Sequence, residues 1–383
     1  MRFLHTADWH LGRVFNGISL LSDQEKILRE EFLPLVKAEA VEAVIIAGDI
    51  YDRSIPPTEA IDMFNEVLVK LAEAKVKVLY IAGNHDSSSR LHFGSQLMQP
   101  VGVYVRGVYA GDLQPVCLQD EYGPVYFMLY PYVEPAAVQS FLGSLKTLSF
   151  NEANRLAVEK GLANIPPRSR SIAVAHAFIA KCNPSGTERL LSVGGADFVD
   201  PVMFKPFNYT ALGHLHSPQK AGGENIRYSG SLLKYSFAEI GQKKGFIIGD
   251  MDSKGQVTTF LHEIKLPHDM LKIKGEFNEI LNNRLKYPAT ADFVQIELTN
   301  RGSIIDAVNR LRQIYPNVME ILTPNVVRAE AGCIAGNGQQ LMSQSMTVLF
   351  DNFFNTLTDE SLNQQQRAII NDCVAEIIKE EAE

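Results

Sequence analysis

Five short polar motifs, each placed directly behind an apolar run, constrain the fold of this chain most. The motifs are Asp8-x-His10, Gly48-Asp49, Gly83-Asn84-His85-Asp86, Ala175-His176 and Gly213-His214-Leu215-His216. The preceding apolar runs are predicted to be strands and span residues 2–7, 43–47, 76–82, 171–175 and 209–212. Open α/β folds collect functional side chains at the carboxyl ends of their strands. We therefore expect the motifs to converge on one edge of a sheet.

The side chains in these motifs are of the kinds that bind divalent metal ions. Carboxylate and amide oxygens suit hard cations such as Mg²⁺ and Mn²⁺, whereas imidazole favours Mn, Fe or Zn. A Mg²⁺ site is usually built from carboxylates, substrate phosphate and water. The mixture therefore predicts a pair of ions in the Mn, Fe and Zn range, with manganese as the best single choice. The candidate ligands are Asp8, His10, Asp49, Asn84, His176, His214 and His216.

Spacing within the motifs indicates how so many ligands could reach one place. Alternate residues of an extended segment point to the same face, so Asp8-x-His10 and His214-x-His216 are each predicted to supply two ligands from extended chain. Ions in a two-metal site lie about 3.5 to 4 Å apart and need a bridging carboxylate. Asp49 is the natural candidate for the bridge.

Taken singly, each motif has a simpler interpretation. A Gly-Asp or Gly-His pair after a strand is usually turn chemistry. Five such motifs in this order favour a binuclear metal site instead. His5 and His92 are interpreted as core or surface histidines rather than ligands, and Trp9 and Tyr51 as packing residues beside the site.

The motif set resembles the calcineurin-like metallophosphoesterases and, within them, the family of SbcD-type nucleases. The resemblance covers nearly the whole chain and includes the opening His5-Thr6-Ala7-Asp8-Trp9-His10-Leu11-Gly12, then Gly48-Asp49-Ile50-Tyr51-Asp52 and Gly83-Asn84-His85-Asp86-Ser87. Tyr228-Ser229-Gly230-Ser231 and Lys244-Gly245-Phe246 also match the SbcD-type pattern, which general phosphatases are not expected to share. The resemblance implies a four-layer α/β/β/α sandwich with a small α+β capping domain and a C-terminal helical hairpin.

The resemblance also implies roles for individual residues. Asp49 bridges the ions, one of which is held by Asp8, His10 and His216 and the other by Asn84, His176 and His214. His85 is expected to protonate the leaving oxygen, and the side chain of Asp52 to orient His85 through a hydrogen bond. Arg53 lies where phosphatases carry a phosphate-binding arginine, but a solvated turn residue is the simpler interpretation.

The length of 383 residues exceeds the ~250 to 300 at which a single core stops growing, so two or three units are expected. Residues 1–265 are predicted to form the metallophosphoesterase domain, with helices at 23–40 and 57–74 and a helical insertion at 134–170. Short strands at 227–229, 245–250 and 258–264 are assigned to a second sheet. Residues 266–328 read as β-α-β-α-β, which in the resemblance is the capping domain. The glycines at 332, 336 and 338 mark a linker over residues 329–345.

Residues 346–383 are predicted to form a helical hairpin that binds a partner. Its two apolar stripes consist of Phe350, Phe353, Phe354 and Leu357, and of Ile369, Ile370, Cys373, Val374 and Ile377. Ser361 with Gln364 is predicted to form the capping box of the second helix. A partner groove is favoured over packing against the main domain. In the resemblance the partner is an SbcC-type ABC ATPase.

Charge and cysteine content limit which functions and which cellular compartment the chain is expected to have. The chain carries a net charge of −8, of which residues 351–383 contribute −6, so the rest is close to neutral. The absence of a basic excess counts against unaided tight binding to DNA, although two divalent ions would add positive charge at the site.

The four cysteines, Cys117, Cys182, Cys333 and Cys373, have no paired or metal-like spacing and are expected to be reduced thiols. With no apolar run near ~18 residues, a soluble cytoplasmic protein is expected.

The resemblance implies a metal-dependent DNA nuclease, with 3′–5′ double-strand exonuclease and single-strand or hairpin endonuclease activity. It would act with an SbcC-type ATPase in DNA repair, recombination and replication, as a homodimer within a heterotetramer. Two other functions stay open. One is a small-substrate phosphoesterase such as a nucleotidase or cyclic-nucleotide phosphodiesterase. The other is a non-catalytic scaffold, against which the intact ligand set and His85 count.

Overall fold

The structure is a computed structural model that describes residues 1–111, 113–143, 147–185, 198–300, 304–323, 346–358 and 361–380. The chain divides into two units, Met1–Met270 and Leu271–Glu383. The segment predicted to be a linker, residues 329–345, lies outside the described residues.

The first unit contains fourteen of the described strands and most of the described helices. The strands are β1 Arg2–Thr6, β2 Val14–Phe15, β3 Ile18–Ser19, β4 Ala43–Ile46, β5 Lys77–Ile81, β6 Val103–Arg106, β7 Val116–Asp120, β8 Gly123–Tyr130, β9 Arg170–His176, β10 Tyr209–Gly213, β11 Gln219–Lys220, β12 Ile226–Tyr228, β13 Gly245–Met251 and β14 Val257–Glu263. The α-helices are α1 Leu21–Ile27, α2 Leu33–Ala38, α3 Thr58–Glu73, α4 Ser88–His92, α5 Ser95–Met98, α6 Pro135–Leu142 and α7 Phe150–Leu162.

Two six-stranded sheets form the centre of this unit. The first has the order β14-β13-β1-β4-β5-β6, and the second has the order β11-β12-β10-β9-β8-β7. Strands β1, β4, β5 and β6 are parallel, as are β8, β9, β10 and β12. Strands β4 and β9 are buried on both faces, which explains why β4 and residues 172–175 of β9 are continuous apolar runs rather than alternating ones.

The sheets stack face to face with helices outside them. Phe3, Ile45 and Leu79 of the first sheet share a core with Phe127 and Val174 of the second. The opposite face of the second sheet packs against α6 and α7 through residues that include Tyr130, Val138 and Ala157. On the outer face of the first sheet, Phe64 of α3 contacts Tyr80, and Phe32 contacts Phe246. The predicted four-layer α/β/β/α sandwich is confirmed.

One sheet assignment was wrong. The strands predicted at 245–250 and 258–264 lie in the first sheet, where β13 pairs antiparallel with β1 and β14 pairs with β13. Only the short strand near residue 227 belongs to the second sheet. The apolar pattern of β13 indicates that the strand is buried, but it does not indicate to which sheet the strand belongs. That depends on pairing between residues far apart in the sequence, such as Arg2 and Asp250.

The helical predictions hold with local changes. The helix expected at 23–40 is interrupted by a π-helical segment, Leu28–Phe32, between α1 and α2. The insertion at 134–170 contains α6 and α7, and α7 starts at a capping box between Ser149 and Glu152. Strand β9 then begins at Arg170, three residues after the Pro166-Pro167 pair.

The second unit contains a three-stranded sheet with the order β15-β16-β17. Strands β15 Met270–Gly275, β16 Phe293–Leu298 and β17 Val318–Leu322 alternate along the chain with helices α8 Phe277–Asn282 and α9 Ala307–Arg312. Their core contains Phe277, Ile280, Ile296, Leu311 and Tyr315.

Two longer helices follow, α10 Met346–Thr358 and α11 Gln364–Glu380. Asn371 of α11 lies 2.8 Å from the hydroxyl of Thr347, and Arg367 forms an ion pair with Asp351. The capping box differs from the prediction by two residues. The side chains of Asn363 and Gln366 accept each other's main-chain N–H at 2.9 and 3.0 Å, because Asn is as good an N-cap as Ser and stands next to the first helical residue.

Two further properties concern the described part of the chain. Cys117, Cys182 and Cys373 are free thiols, and Cys333 lies outside the described residues. Among the described helices, none has both the length and the apolar character needed to cross a membrane.

Candidate metal centre

The seven candidate ligands come together at the carboxyl ends of strands from both sheets. Asp8 and His10 follow β1, Asp49 follows β4 and Asn84 follows β5, whereas His176 ends β9 and the two remaining histidines follow β10. The expectation of a single sheet edge was therefore wrong, because the stacked sheets present their carboxyl ends side by side. The second sheet contributes His176, His214 and His216.

One group of ligands lies around His10. Its Nε2 is 3.2 Å from Nε2 of His216 and 3.7 Å from Oδ2 of Asp49. Ligand atoms of Asp8, His10 and Asp49 all lie within 4.8 Å of one another. All four side chains are buried.

A second group lies around Asn84. Its Oδ1 is 2.9 Å from Nε2 of His176 and 3.1 Å from Nδ1 of His214. Nε2 of His176 is also 3.5 Å from Oδ2 of Asp49. The same carboxylate oxygen of Asp49 thus faces both groups, which is the placement that a bridging ligand requires.

The donor set fits cations rather than hydrogen bonds. Nδ1 of His176 lies 2.9 Å from the carbonyl oxygen of Ala47, so it carries the proton, and its Nε2 presents a lone pair to the oxygen of Asn84. His216 has the same arrangement, because Nδ1 lies 3.2 Å from a carboxylate oxygen of Glu239 and Nε2 faces His10. Lone pairs that point at one another in a buried site are the pattern left by ligands of a metal ion.

Burial keeps these rings neutral, which is the form that binds metal. Desolvation lowers the pKa of His10, His176 and His214 below the usual value. For His10 and His214 the shift is large, and the charges of neighbouring histidines reinforce it. The rings are therefore available as ligands at neutral pH without loss of a proton.

The backbone at the ligands is not extended as the spacing suggested. Asp8, His10, Asp49 and His214 have φ angles of 52°, 45°, 49° and 109°. Such angles are uncommon outside glycine and cost of order 1 to 3 kcal/mol each. The motifs at Asp8, Asp49 and His214 are therefore sharp turns, and the surrounding sandwich holds this strained conformation in place.

Two motif glycines are explained by close approach. A Cβ on Gly48, whose φ is +91°, would lie 2.4 Å from Nδ1 of His176, and one on Gly83 would lie 2.1 Å from Oδ1 of Asp49. A side chain at Gly48 would overlap the ring of His176, and one at Gly83 would overlap the carboxylate of Asp49.

Asp86 connects two of the ligand-bearing loops, a role not predicted from the sequence. Its carboxylate accepts main-chain N–H groups from Ile50 at 3.1 Å, Tyr51 at 2.9 Å and Gly83 at 2.9 Å. Burial and the nearby charge of Asp49 raise the pKa of Asp86 to about 7. The sequence signal for this role is that Asp86 is the fourth residue of the motif Gly83-Asn84-His85-Asp86.

Glu239 and Lys244 form a buried ion pair behind His216, at 2.6 Å. Burial opposes ionisation of Glu239, but the hydrogen bond from His216 and the charge of Lys244 outweigh it and lower the pKa of Glu239 to about 2. The motif Lys244-Gly245-Phe246 is the sequence signal for this region, and no role for Glu239 was predicted.

His85 lies beside the centre and is partly exposed. Its ring is 4.7 Å from that of His10, and its Nδ1 lies 2.8 Å from the main-chain carbonyl oxygen of Asp52. The expected hydrogen bond therefore involves the backbone of Asp52 and not its carboxylate. That carboxylate instead accepts from Arg13 at 2.8 Å and lies 3.6 Å from Nδ1 of His10.

His5 and Trp9 lie in the core, and Arg53 lies on the surface, as was predicted for these residues. His5 is buried, with its ring nitrogens 3.0 Å from the hydroxyl of Tyr209 and 3.2 Å from the carbonyl oxygen of Leu212. Trp9 packs edge-on against Phe32 and Phe64, and Arg53 is exposed.

Comparison with known proteins agrees with this geometry. The family model of the calcineurin-like phosphoesterases matches residues 1–218, and that of the type 5 capsule protein repressor C-terminal domain matches residues 266–358. The SbcD subunit of the nuclease SbcCD from Staphylococcus epidermidis is 31% identical over 382 residues, which covers 100% of both chains. A solved β-glucosidase from Exiguobacterium marinum aligns over 84% of this chain and 87% of its own, at 9% identity and a TM-score of 0.22, a likeness too low to indicate a shared fold.

The first family model spans more than half of the chain and contains every candidate ligand. The chain therefore belongs to the calcineurin-like phosphoesterase family, as a full-length relative of SbcD-type nuclease subunits.

Proposed function

We propose that the protein is a metal-dependent DNA nuclease that hydrolyses phosphodiester bonds and acts with an SbcC-type ATPase in DNA repair and recombination. The activities proposed are 3′–5′ exonuclease on double strands and endonuclease on single strands and hairpins. The observation that carries the proposal is that Oδ2 of Asp49 faces both groups of candidate ligands, at 3.7 Å from His10 and 3.5 Å from His176, in a chain that matches a nuclease subunit from end to end.

Asp49 is proposed to bridge two ions. Asp8, His10 and His216 complete one coordination sphere, and Asn84, His176 and His214 complete the other. When bound, two divalent ions supply an activated water and neutralise charge on the phosphate. The histidine-rich donor set favours Mn²⁺ over Mg²⁺.

His85 is proposed as the general acid. In the protonated ring that acts as the acid, Nδ1–H donates to the Asp52 carbonyl oxygen, and the second proton, on Nε2, is the one left for the leaving oxygen. Partial exposure allows Nε2 to reach the leaving sugar oxygen of a bound strand. Asp52 positions His85 through its backbone, and its carboxylate fixes Arg13 at the margin of the centre.

The partner surface is proposed to be the hairpin of α10 and α11. Val348, Phe353 and Ile369 expose 46%, 57% and 61% of their surface, although large apolar side chains are usually buried. An apolar face on a short helix pair suits an apolar groove on the partner ATPase.

A homodimer is proposed through the segment from α4 to Val101. Phe93 is 86% exposed, Leu97 84% and Val101 58%, so this segment presents three exposed apolar side chains at intervals of four residues. Such a patch marks an interaction surface in a soluble protein. Phe93→Asp with Leu97→Asp should give a monomer in sedimentation analysis, and an unchanged dimer would place the interface elsewhere. The site of action is proposed to be the cytoplasm.

Metal dependence tests the proposed chemistry. Chelation should abolish cleavage of a labelled DNA duplex, and Mn²⁺ should restore it better than Mg²⁺. Equal rescue by Mg²⁺ alone contradicts the assignment of the ions. Hydrolysis of nucleotides or cyclic nucleotides without cleavage of long DNA would favour a small-substrate phosphoesterase.

A further inference from the structure

A buried group of polar side chains lies behind His216, on the side of the ring away from the metal centre. The carboxylate of Glu239 lies between two groups, with Oε1 3.2 Å from Nδ1 of His216 and Oε2 2.6 Å from Nζ of Lys244. Glu239 is 0% exposed and Lys244 2%. Two opposite charges are kept out of water here, which is costly unless both are fully paired.

Lys244 also holds the backbone of the same ligand. Its three protons are shared among four acceptors, because besides Glu239 the Nζ lies 2.7 Å from the carbonyl oxygen of His216, 2.8 Å from Oγ of Ser231 and 2.9 Å from Oε1 of Gln242. The main-chain N–H of Ser231 reaches the same carbonyl of His216 at 3.1 Å. The ring and the peptide of His216 are thus fixed by one connected network.

The network explains two sequence motifs that the metal ligands leave unexplained. Ser231 ends the motif Tyr228-Ser229-Gly230-Ser231, and Lys244 begins Lys244-Gly245-Phe246. Phe246 packs against Phe32, which in turn packs against Trp9 between Asp8 and His10. Both motifs therefore support the loops that carry ligands of the first group.

The second group of ligands is supported differently. Nδ1 of His176 is held by a main-chain carbonyl, that of Ala47, at 2.9 Å. A carboxylate makes the imidazole to which it is hydrogen-bonded a more basic ligand and fixes its orientation more firmly than a neutral carbonyl does.

We propose that Glu239 and Lys244 are positioning residues for one of the two ions, the one held by Asp8, His10 and His216. Glu239 accepts the Nδ1 proton of His216, so that Nε2 presents its lone pair to the metal. Lys244 compensates the charge of Glu239 and anchors the carbonyl of His216. The inference rests on the proposed metal centre. It adds that the two ions differ in affinity-determining support, because the ion at His176 does not depend on Glu239 and Lys244.

The double variant Glu239→Gln with Lys244→Met tests the role without leaving a buried charge unpaired. Its matched control is Lys243→Met with Glu263→Gln, which removes an exposed ion pair of 2.6 Å at the adjacent position. Metal-free proteins are titrated with Mn²⁺ in a calorimeter and melted without metal. The wild type and the control should bind two ions. The double variant should bind one ion unchanged and the other about 10 to 100-fold more weakly.

The outcomes separate the two proposals. Two unchanged affinities in the double variant, or equal loss of both ions, contradict the positioning role and leave the metal centre intact. Fewer than two ions in the wild type contradict the proposed centre, and this inference with it.

A measurement on the wild type covers the case of a variant that does not fold. In ¹⁵N-histidine-labelled, metal-free protein, the ring of His216, assigned by comparison with His216→Gln, should carry its proton on Nδ1. A proton on Nε2 overturns the proposal.

Discussion

The main-chain N–H of His85 donates a hydrogen bond to Oδ1 of Asp49 at 2.8 Å. The carboxylate proposed to bridge the ions is therefore oriented by the residue proposed to protonate the leaving group. Its other oxygen, Oδ2, is left facing His10 and His176 at 3.7 and 3.5 Å. A substitution at Asp49 should disturb both coordination spheres together.

Asp49→Ala is expected to lose both ions, because neither group of ligands keeps the carboxylate that faces both. Metal content per chain, measured by elemental analysis after gel filtration, checks this. Asp62→Ala, on the exposed side of α3, is the control and should keep two ions. Retention of two ions by Asp49→Ala would rule out the bridge.

His85→Ala should keep both ions and lose most turnover, since general acid catalysis contributes about 10² to 10⁴-fold. Single-turnover cleavage of labelled duplex, beside a metal assay of the same sample, separates chemistry from binding. His10, Asp52 and His85 also come within 4.8 Å of one another. If metal content falls in step with activity, His85 is a ligand and not the acid.

Asp52→Asn should reduce turnover only slightly, by less than the general-acid factor of about 10². The hydrogen bond to His85 comes from the main-chain carbonyl of Asp52, which the substitution keeps. Its expected effect is a looser Arg13, seen as a higher KM for DNA with kcat nearly unchanged. A fall in kcat as large as that of His85→Ala would show that the carboxylate orients His85 after all.

Truncation after residue 328 should leave metal binding and basal Mn²⁺-dependent cleavage largely intact, while abolishing stable association with the SbcC-type ATPase. Both α10 and α11 are removed, whereas every candidate ligand lies in the first unit. Co-elution in gel filtration is the measurement. A truncated chain that still co-elutes with the ATPase would place the interface elsewhere.

A finer test of the same surface is Phe353→Ala with Phe354→Ala, which should weaken association by roughly 2 to 4 kcal/mol because aromatic anchors dominate such interfaces. Gln365→Ala, at an exposed polar position of α11, is the control. If the two variants bind the ATPase with equal affinity, the aromatic stripe is not part of the interface.

Acid stability should depend on Asp120. The guanidinium of Arg170, hydrogen-bonded at 2.6 and 2.8 Å, holds the pKa of this carboxyl well below its usual range. Because the pKa is lowered in the folded chain, the stabilisation is present above the unfolded pKa of about 4 and is lost as the pH falls below it. Asp120→Asn should cost about 3 to 5 kcal/mol at neutral pH, because Arg170 is left buried without its partner. Its free energy of unfolding should also fall less between pH 5 and pH 2, measured by urea titration. Parallel losses in the two proteins would contradict the role of Asp120.

Much of this architecture could be predicted from the sequence. Strand β4 is apolar over its full length and β9 is apolar over residues 172–175, so their burial and the polar residues that follow are visible in the chain itself. Asp49 and His176 follow those apolar runs, which led to the prediction that they meet, although at the edge of one sheet and not, as the structure has it, at the ends of strands from two stacked sheets.

The remainder depends on contacts between distant residues. The pairing of β13 with β1 places Lys244 behind His216, and no local pattern reports that pairing. The turns at Asp8 and His10 adopt positive φ angles because the sandwich around them holds the chain there. An alternating spacing reads as extended chain whenever such long-range contacts are ignored.

Digestion of end-labelled duplex, hairpin and single-stranded DNA with Mn²⁺ tests the central claim most directly, with His85→Ala and a cyclic nucleotide assayed in parallel. The wild type should cleave all three DNA substrates, should process duplex ends faster with the ATPase and ATP, and should far exceed His85→Ala. Hydrolysis of the cyclic nucleotide while every DNA substrate stays intact would contradict it.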